Sequence, residues 1–369
     1  MTALSPTGTA ENTLSNRIEL GQKRAAWALG APALLGLGLF LFIPMLLALG
    51  LTFTDQRLLS PNETEFVGVR NYVRLLSITM ITQDPSRDER GELIRDQDGN
   101  RAFERVRGVI RPHPKYAGYR PLVSVRVFGK RMTILARDPT FIRALVNTFL
   151  FVLMVVPIQT AAALGMALLV NRQIKGRNLF RTVYFAPVVV SMVVVSILWV
   201  MLYNRDIGLV NRALSFLTQG LAPPTDWLGN ATTALPAIAV MSAWQGAGFQ
   251  MVIFLAGLQG INATLYEAAD IDGADAWQKF RYVTLPGLKN TTVFVLISTT
   301  IAAFGLFNQV DVMTSGGPND ATATVMFHAI TKGVREQDIA YGSTISIIYF
   351  LMITAIALGQ KRLFGAADS

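Results

Sequence analysis

Between Tyr266 and Trp277 the chain reads Tyr-Glu-Ala-Ala-Asp-Ile-Asp-Gly-Ala-Asp-Ala-Trp, with Glu267, Asp270, Asp272 and Asp275 set among small residues. Acids in this pattern can bind basic groups of another protein, and Ala268 and Ala269 have too little bulk to keep a foreign backbone away. Other chemistry finds few candidates. The chain has no cysteine, so it carries no disulfide, thiolate metal site or Cys nucleophile. Its two histidines, His113 and His328, are far apart and lack acids at ligand spacing, which argues against a metal or catalytic role. No nucleophile paired with a base stands out. The acidic stretch therefore reads as a docking surface rather than a reaction centre.

Two short helices must present these acids. Thr264-Leu265-Tyr266-Glu267 fits a capping box, with Thr264 starting the helix, Glu267 reaching back to it, and Asn262 as a competing cap. Gly273 tolerates a positive φ and can end this first helix. A second helix is expected from Ala274 or Asp275 to about Val283, with Trp277 and Phe280 on one face. Pro286 then ends it or bends the entry into the next segment. The plainer alternative is an amphipathic connector lying on a membrane surface.

A membrane is implied by composition. Hydrophobic residues make up 51% of the 369 and charged ones only 15%, and the mean hydropathy is +0.40, too apolar for an ordinary soluble domain. Six stretches lack Asp, Glu, Lys and Arg: Ala25 to Thr54, Ala144 to Val170, Thr182 to Asn204, Leu228 to Tyr266, Asn290 to Val310 and Ile339 to Gln360. Each can supply the roughly 20 apolar residues of a helix that crosses the hydrocarbon core. In the fourth, polar ends narrow the span to about Ala234 to Leu258. The fold class expected is an all-α integral membrane protein with six transmembrane helices. Lys23 and Arg24 precede the first stretch as in a signal peptide, but a cleaved apolar region runs about 7 to 15 residues, so an uncleaved span over 25–54 is expected.

Charge sets the orientation. The net charge is +9, and in a membrane protein such an excess usually governs topology rather than nucleic-acid binding, for which no reading motif is present. Arg172, Lys175, Arg177 and Arg181 stand in one short loop, and Lys361 and Arg362 follow the last span. Placing both inside puts the two termini, the tail 1–24 and the acidic connector 262–286 in the cytoplasm. The segment 55–140 then lies outside as an insert between the first two spans; a long loop translocates largely regardless of its charge. Asp98-Gly99 between strand-like flanks is a hairpin signal, and Pro121 to Phe128 partly alternates as a half-buried strand does. A small strand-containing insert and an unpacked charged loop both fit this sequence.

The connector also carries a resemblance. Glu267-Ala268-Ala269, then Asp272-Gly273-Ala274, Phe280 and Leu285-Pro286, resembles the EAA signature of permease subunits of binding-protein-dependent ABC importers. Downstream, Phe304 to Pro318 ends in Thr314-Ser315-Gly316-Gly317-Pro318 and resembles the corresponding segment of the sugar-importing, MalF-like branch; read alone, Gly-Gly-Pro is a turn signal. Asn147-Thr148, Arg177 to Arg181 and Ala243-Trp244-Gln245-Gly246 are similar to the same branch. The resemblance covers the first span and nearly everything from Thr140 to Leu363, which includes the permease core expected over 141–363. It implies that the connector forms coupling helices for a separate ATPase, with Glu267, Ala268, Ala269, Asp272, Gly273, Ala274, Leu285 and Pro286 at the contact. Most six-span relatives resemble one another in a short loop where this chain has its insert, although larger maltose-type permeases carry a domain there.

Function follows from what the spans hold and lack. They carry no charge, whereas proton- or ion-coupled carriers commonly keep ionisable residues there, so a stand-alone secondary carrier or channel is the weaker class and an embedded enzyme weaker still. Nor is there a Gly-x-x-x-x-Gly-Lys-Ser/Thr phosphate loop. The chain is expected to bind no cofactor and to be no enzyme, with ATP and Mg held by two ATP-binding partner subunits. A second homologous permease and an extracytoplasmic solute-binding protein complete the assembly that the resemblance implies, in a prokaryotic cytoplasmic (inner) membrane. Sugars need polar and aromatic groups along a greasy path. Ser242, Trp244, Gln245, Gly246 and Phe249, with Gln250, in span four and Asn308 and Gln309 in span five are the candidates, set against ordinary interhelical packing. The resemblance places Ser242, Gln245, Gly246 and Phe249 toward a sugar and aligns Ala303 and Leu306 with positions polar in maltose permeases, which speaks against maltose itself. A glycerol phosphate or another polar solute is the alternative cargo, though an anion would favour a basic residue in the path.

Overall fold

The computed structural model describes residues 22, 26 to 60, 63 to 88, 90, 92 to 95, 100 to 172 and 175 to 365. The expected tail, apart from residue 22, and the Asp98-Gly99 turn lie outside these.

The apolar stretches form helices because a helix satisfies its own backbone groups where water is absent. Helix α1 spans Ala26–Leu51. An insert follows, containing α2 (Arg70–Leu76), β1 (Ile78–Gln83), α3 (Val106–Ile110), β2 (Arg120–Val127) and β3 (Lys130–Ala136). The chain then runs through α4 (Pro139–Asn171), α5 (Arg177–Val189), α6 (Met192–Leu202), α7 (Leu209–Leu217) and α8 (Ala234–Gln259). The connector holds α9 (Ala263–Ile271) and α10 (Ala276–Gly287). Last come α11 (Lys289–Phe304), α12 (Asn308–Met313), α13 (Val325–Ile330) and α14 (Ile339–Gly365).

Four of these, α1, α4, α8 and α14, are each long and apolar enough to cross a bilayer. The other two expected spans are broken. Between α5 and α6 the axis turns by 100°, because Pro187 cannot donate to the helix and Val190 and Ser191 adopt extended ψ angles of 138° and 135°. The expected single span from Thr182 to Asn204 is therefore two helices. Span five ends at Phe304, not Val310, so Asn308 and Gln309 belong to the separate short helix α12. The charge-free run continued across Gly305, which is why hydropathy alone did not reveal the break.

The core is built on α4 and α8, which pack along their length, with α11 against both; α14 packs in turn on α11, α13 and the end of α1. Ala163, Ala167, Ala247 and Gly248 allow close approach. A Cβ on Gly248 would stand 2.2 Å from the carbonyl oxygen of Tyr184, so the backbone of α5 crosses α8 at that glycine.

The insert contains an antiparallel sheet in the order β1-β3-β2. Of the two forms open to the sequence it thus has the strand-containing one. Phe128 and Gly129, at φ of 48° and 77°, make the two-residue turn between β2 and β3, and positive φ at both positions suits the twist of a hairpin. The flanks of Asp98-Gly99 pair antiparallel through Arg95 with Arg101, and a separate antiparallel bridge joins Arg87 to Leu93. Leu135, Ile81 and Ile110 form a small core under the sheet. The insert is tied to the helices: Leu58 N–H donates to Gln337 O (2.9 Å), Ala340 N–H to Gln56 O (3.1 Å), and Arg74 pairs with Asp338 at 3.1 Å.

Candidate functional site

The connector begins at Asn262, whose side chain accepts from Thr264 N–H (3.1 Å). Asn262, not Thr264, is the cap of α9, and no Thr264–Glu267 box forms; a capping box stands instead at α10, where Asp275 accepts from Gln278 N–H (2.7 Å) and Gln278 accepts from Asp275 N–H (2.7 Å). Asn262, two positions earlier, wins because its side-chain oxygen reaches the N–H two residues on and Asn is the stronger cap, leaving Thr264 inside the first turn. Gly273, at φ +74°, ends α9: its N–H bonds Asp270 O (3.1 Å) and Ala274 N–H bonds Ala269 O (2.8 Å), the double closure that requires a left-handed residue.

Lys279 Nζ donates to Asp270 Oδ1 (2.6 Å) and ties the two short helices together; Trp277 and Phe280 stack with centroids 5.6 Å apart. Pro286 does not end α10. A wide turn over Phe280–Thr284 precedes it, and the 65° change of direction into α11 comes at Leu288, which is buried. Glu267, Ala268, Asp272, Gly273 and Pro286 are exposed, and Ala269, Ala274 and Leu285 half-exposed. Leu265 (53% exposed), Ile271 (87%) and Trp277 (66%) stand on the same unit. Large apolar side chains beside acids on one rigid hinge make a surface fit for a partner.

Directly inward, α4, α8 and α11, with Met192 of α6 and Gln309 of α12, enclose a cavity of about 170 Å³. Ser242, Gln245, Gly246 and Gln309 line it, as do Gln159 and Thr299. Gln309 Nε2 lies 3.5 Å from Ser242 Oγ, Gln245 Nε2 donates to Pro187 O (3.4 Å), and Gln250 donates to Thr299 Oγ1 just behind the wall. The break at Gly305 is what turns Gln309 inward. Ala303 and Leu306 form part of the wall, so that side of the cavity is apolar. Among the described residues no charged group lines it.

Three sequence candidates stand elsewhere. Trp244 is exposed, with its ring against Trp199 (5.5 Å between centroids), Phe249 is exposed, and Asn308 is exposed beyond the break. Gln159 and Thr299 were missed, although a polar side chain in a charge-free span is the signal that picked out Gln245. Gly246 explains itself through Gln159: a Cβ there would meet Gln159 Nε2 at 2.3 Å.

A second constellation holds the segment between α12 and α13 in place. Asn147 Nδ2 donates to the carbonyls of Asp320 (2.7 Å) and Ala323 (2.9 Å), and Val325 N–H donates to Thr148 Oγ1 (3.1 Å). Thus Asn147-Thr148 clasps the segment after Gly316-Gly317-Pro318. Nearby Asp138 Oδ2 meets His328 Nε2 at 2.8 Å and accepts from Tyr341 Oη at 2.6 Å, all buried. His328 therefore does have an acid partner, 190 positions away. Burial alone would raise the Asp138 carboxyl; the bond and charge of His328, with Tyr341 Oη and Phe141 N–H, outweigh it and hold the group below the usual carboxylate range. Two carboxylate bonds and a capped helix make this a structural tie, and no group of three metal-ligating side chains occurs among the described residues.

A broken-helix bundle with a hinged acidic connector between two of the helices that wall a polar cavity is the build of a transport-complex membrane subunit. Residues 159–366 match the family described as binding-protein-dependent transport system inner membrane component, and the chain belongs to it. It is 34% identical over 232 residues to an arabinooligosaccharides transport system permease protein of Halalkalibacterium halodurans, covering 62% of this chain and 72% of the relative. It is likewise 34% identical over 239 residues to a trehalose/maltose transport system permease protein of Thermococcus litoralis, covering 65% and 78%. In fold it matches a crystal structure of a bacterial ABC transporter involved in the import of the acidic polysaccharide alginate, with TM-score 0.66, 19% identity, and coverage of 96% of this chain and all of that one.

Proposed function

We propose that this chain is one membrane half of an ATP-driven importer for a sugar or oligosaccharide delivered by a solute-binding protein. The observation that carries the reading is continuity: α8 and α11, which wall the polar cavity, are joined directly by the exposed α9–α10 connector. Motion imposed on α9 and α10 by a separate ATPase pair reaches the cavity through Leu288, buried where the direction changes. The cavity's hydroxyl and amide groups suit sugar hydroxyls, and its volume admits about one sugar ring, so a second permease is needed to complete the path. Six crossings, two of them bent, put both termini and the connector in the cytoplasm and the sheet-bearing insert outside. The sugar-transport names of its relatives support the cargo class, and the lack of charge in the cavity weighs against glycerol phosphate.

The test is co-expression with the neighbouring permease, ATPase and binding-protein genes, followed by a sugar screen for stimulated ATP hydrolysis in proteoliposomes. Uptake by this chain alone, driven by an ion gradient and without an ATPase, would overturn the reading.

A further inference from the structure

The insert holds its charge unevenly. Between positions 100 and 140 ten basic residues face two acids, Glu104 and Asp138, and Asp138 is spent inside the fold on His328. Three of the arginines, Arg107, Arg111 and Arg120, line one open cavity of about 760 Å³ together with His113, Tyr116 and Tyr119. No carboxylate lines it, and among the described residues none of these three guanidinium groups has an ion-pair partner.

The adjoining cavity, which shares Ala117, Gly118 and Arg120, provides the contrast. There Arg74 is paired with Asp338 at 3.1 Å and Arg70 with Asp55 at 4.0 Å. One basin has two acids in its wall to pair with its arginines and its neighbour has none. Like charges gathered around a concavity repel one another and raise the local concentration of anions. A guanidinium fork matches the planar edge of a carboxylate or phosphate and makes paired hydrogen bonds to it. The tyrosines add ring faces, already used by cations in the fold: Arg137 lies 5.1 Å from the Tyr119 ring and Lys115 5.8 Å from that of Tyr116.

We propose that this cavity is an oxyanion site, taking the phosphate or carboxylate of a small hydroxylated ligand or of a lipid headgroup. Arg107 and Arg111, one turn apart at the end of α3, grip the anion from one side and Arg120, at the start of β2, from the other. The site is separate from the transport path, whose walls carry no charge.

Calorimetric titration of the full-length chain in phosphatidylcholine nanodiscs tests it, with inorganic phosphate, glucuronate and glucose as probes. Saturable binding of phosphate or glucuronate, and none of glucose, is expected; the tighter of the two oxyanions names the preferred group. Arg107→Gln with Arg111→Gln should weaken that binding at least about tenfold, the loss of one charge-assisted contact or more. The charge-keeping pair Arg107→Lys and Arg111→Lys should lose less, and Arg205→Gln, outside the cavity, nothing. If phosphatidylglycerol added to the nanodisc weakens phosphate binding in the parent protein but not in the Gln pair, the occupant is a lipid headgroup; if it has no effect, the ligand is soluble. Absence of oxyanion binding, or equal binding by the Gln pair, overturns the proposal. Neither result bears on sugar-stimulated ATP hydrolysis, so failure here is distinct from failure of the importer reading.

Discussion

Asp138 and His328 meet at 2.8 Å with both side chains under one-tenth exposed, the first capping α4 and the second in the last turn of α13. Through Tyr341 the same carboxylate reaches α14, and Arg74 of the insert lies 3.9 Å over the Tyr341 ring. Four separate parts of the chain thus converge on one carboxylate.

Removing a partner from such a buried pair leaves a charge without compensation. His328→Ala is expected to cost about 3 to 5 kcal/mol, and Tyr341→Phe about 1 to 3 kcal/mol, read as lowered thermal midpoints in detergent. The pH dependence has a definite sign. A carboxylate held below its ordinary value stabilises the fold at every pH above its unfolded value, near 3.8, and loses that contribution as pH falls further. The stability gap between the parent and Asp138→Asn should therefore stay level from neutral pH down to about 4 and narrow below it. A gap that narrows between pH 7 and 5 would contradict this.

Gly273 is the hinge of the connector. Its φ of +74° is strained for any side chain, so Gly273→Ala should cost about 1 kcal/mol locally, and Gly273→Pro more, because the N–H to Asp270 is lost as well. Glu267 is exposed, and Glu267→Lys should leave stability unchanged. Both Gly273→Pro and Glu267→Lys are expected to insert normally into membranes yet lose sugar-stimulated ATP hydrolysis in the assembled complex. Wild-type transport by both variants would remove the docking role.

Gly246 and Gln159 should be coupled. The Cβ of Gly246→Ala displaces the Gln159 amide, reshaping the cavity at a cost of about 1 to 3 kcal/mol. Adding Gln159→Ala removes the clash, so the double variant should recover stability while transport affinity stays altered. A thermal midpoint paired with the KM of uptake measures both halves of the cycle.

Asn147 supports the carbonyls of Asp320 and Ala323 just after the Gly-Gly-Pro segment, the first of which also accepts from Ala323 N–H (3.3 Å). Asn147→Ala should cost about 1 to 3 kcal/mol and speed amide hydrogen exchange between 316 and 325, whereas Asn147→Asp, which keeps size but not the donor, should behave like the alanine variant.

Much of this protein was legible without coordinates because the governing physics is local. A helix that crosses a bilayer must be apolar over its whole length, so α1, α4, α8 and α14 fall inside charge-free stretches to within a few residues. Gly273 could be assigned its turn because a left-handed helix end excludes most other residues, and Ser242, Gln245, Gly246 and Gln309 were picked out as polar or small groups in greasy surroundings. Tertiary structure decided the rest. The bend at Val190 and the helix break at Gly305 carry no hydropathy signal, yet the break determines that Gln309 lines the cavity and Asn308 does not. Gln159, Thr299, the Asn147 clasp and the Asp138–His328 pair each depend on partners 49 to 190 positions away. Backbone bonding and transfer to lipid are properties of neighbouring residues; which side chains share a cavity is set by how the helices pack.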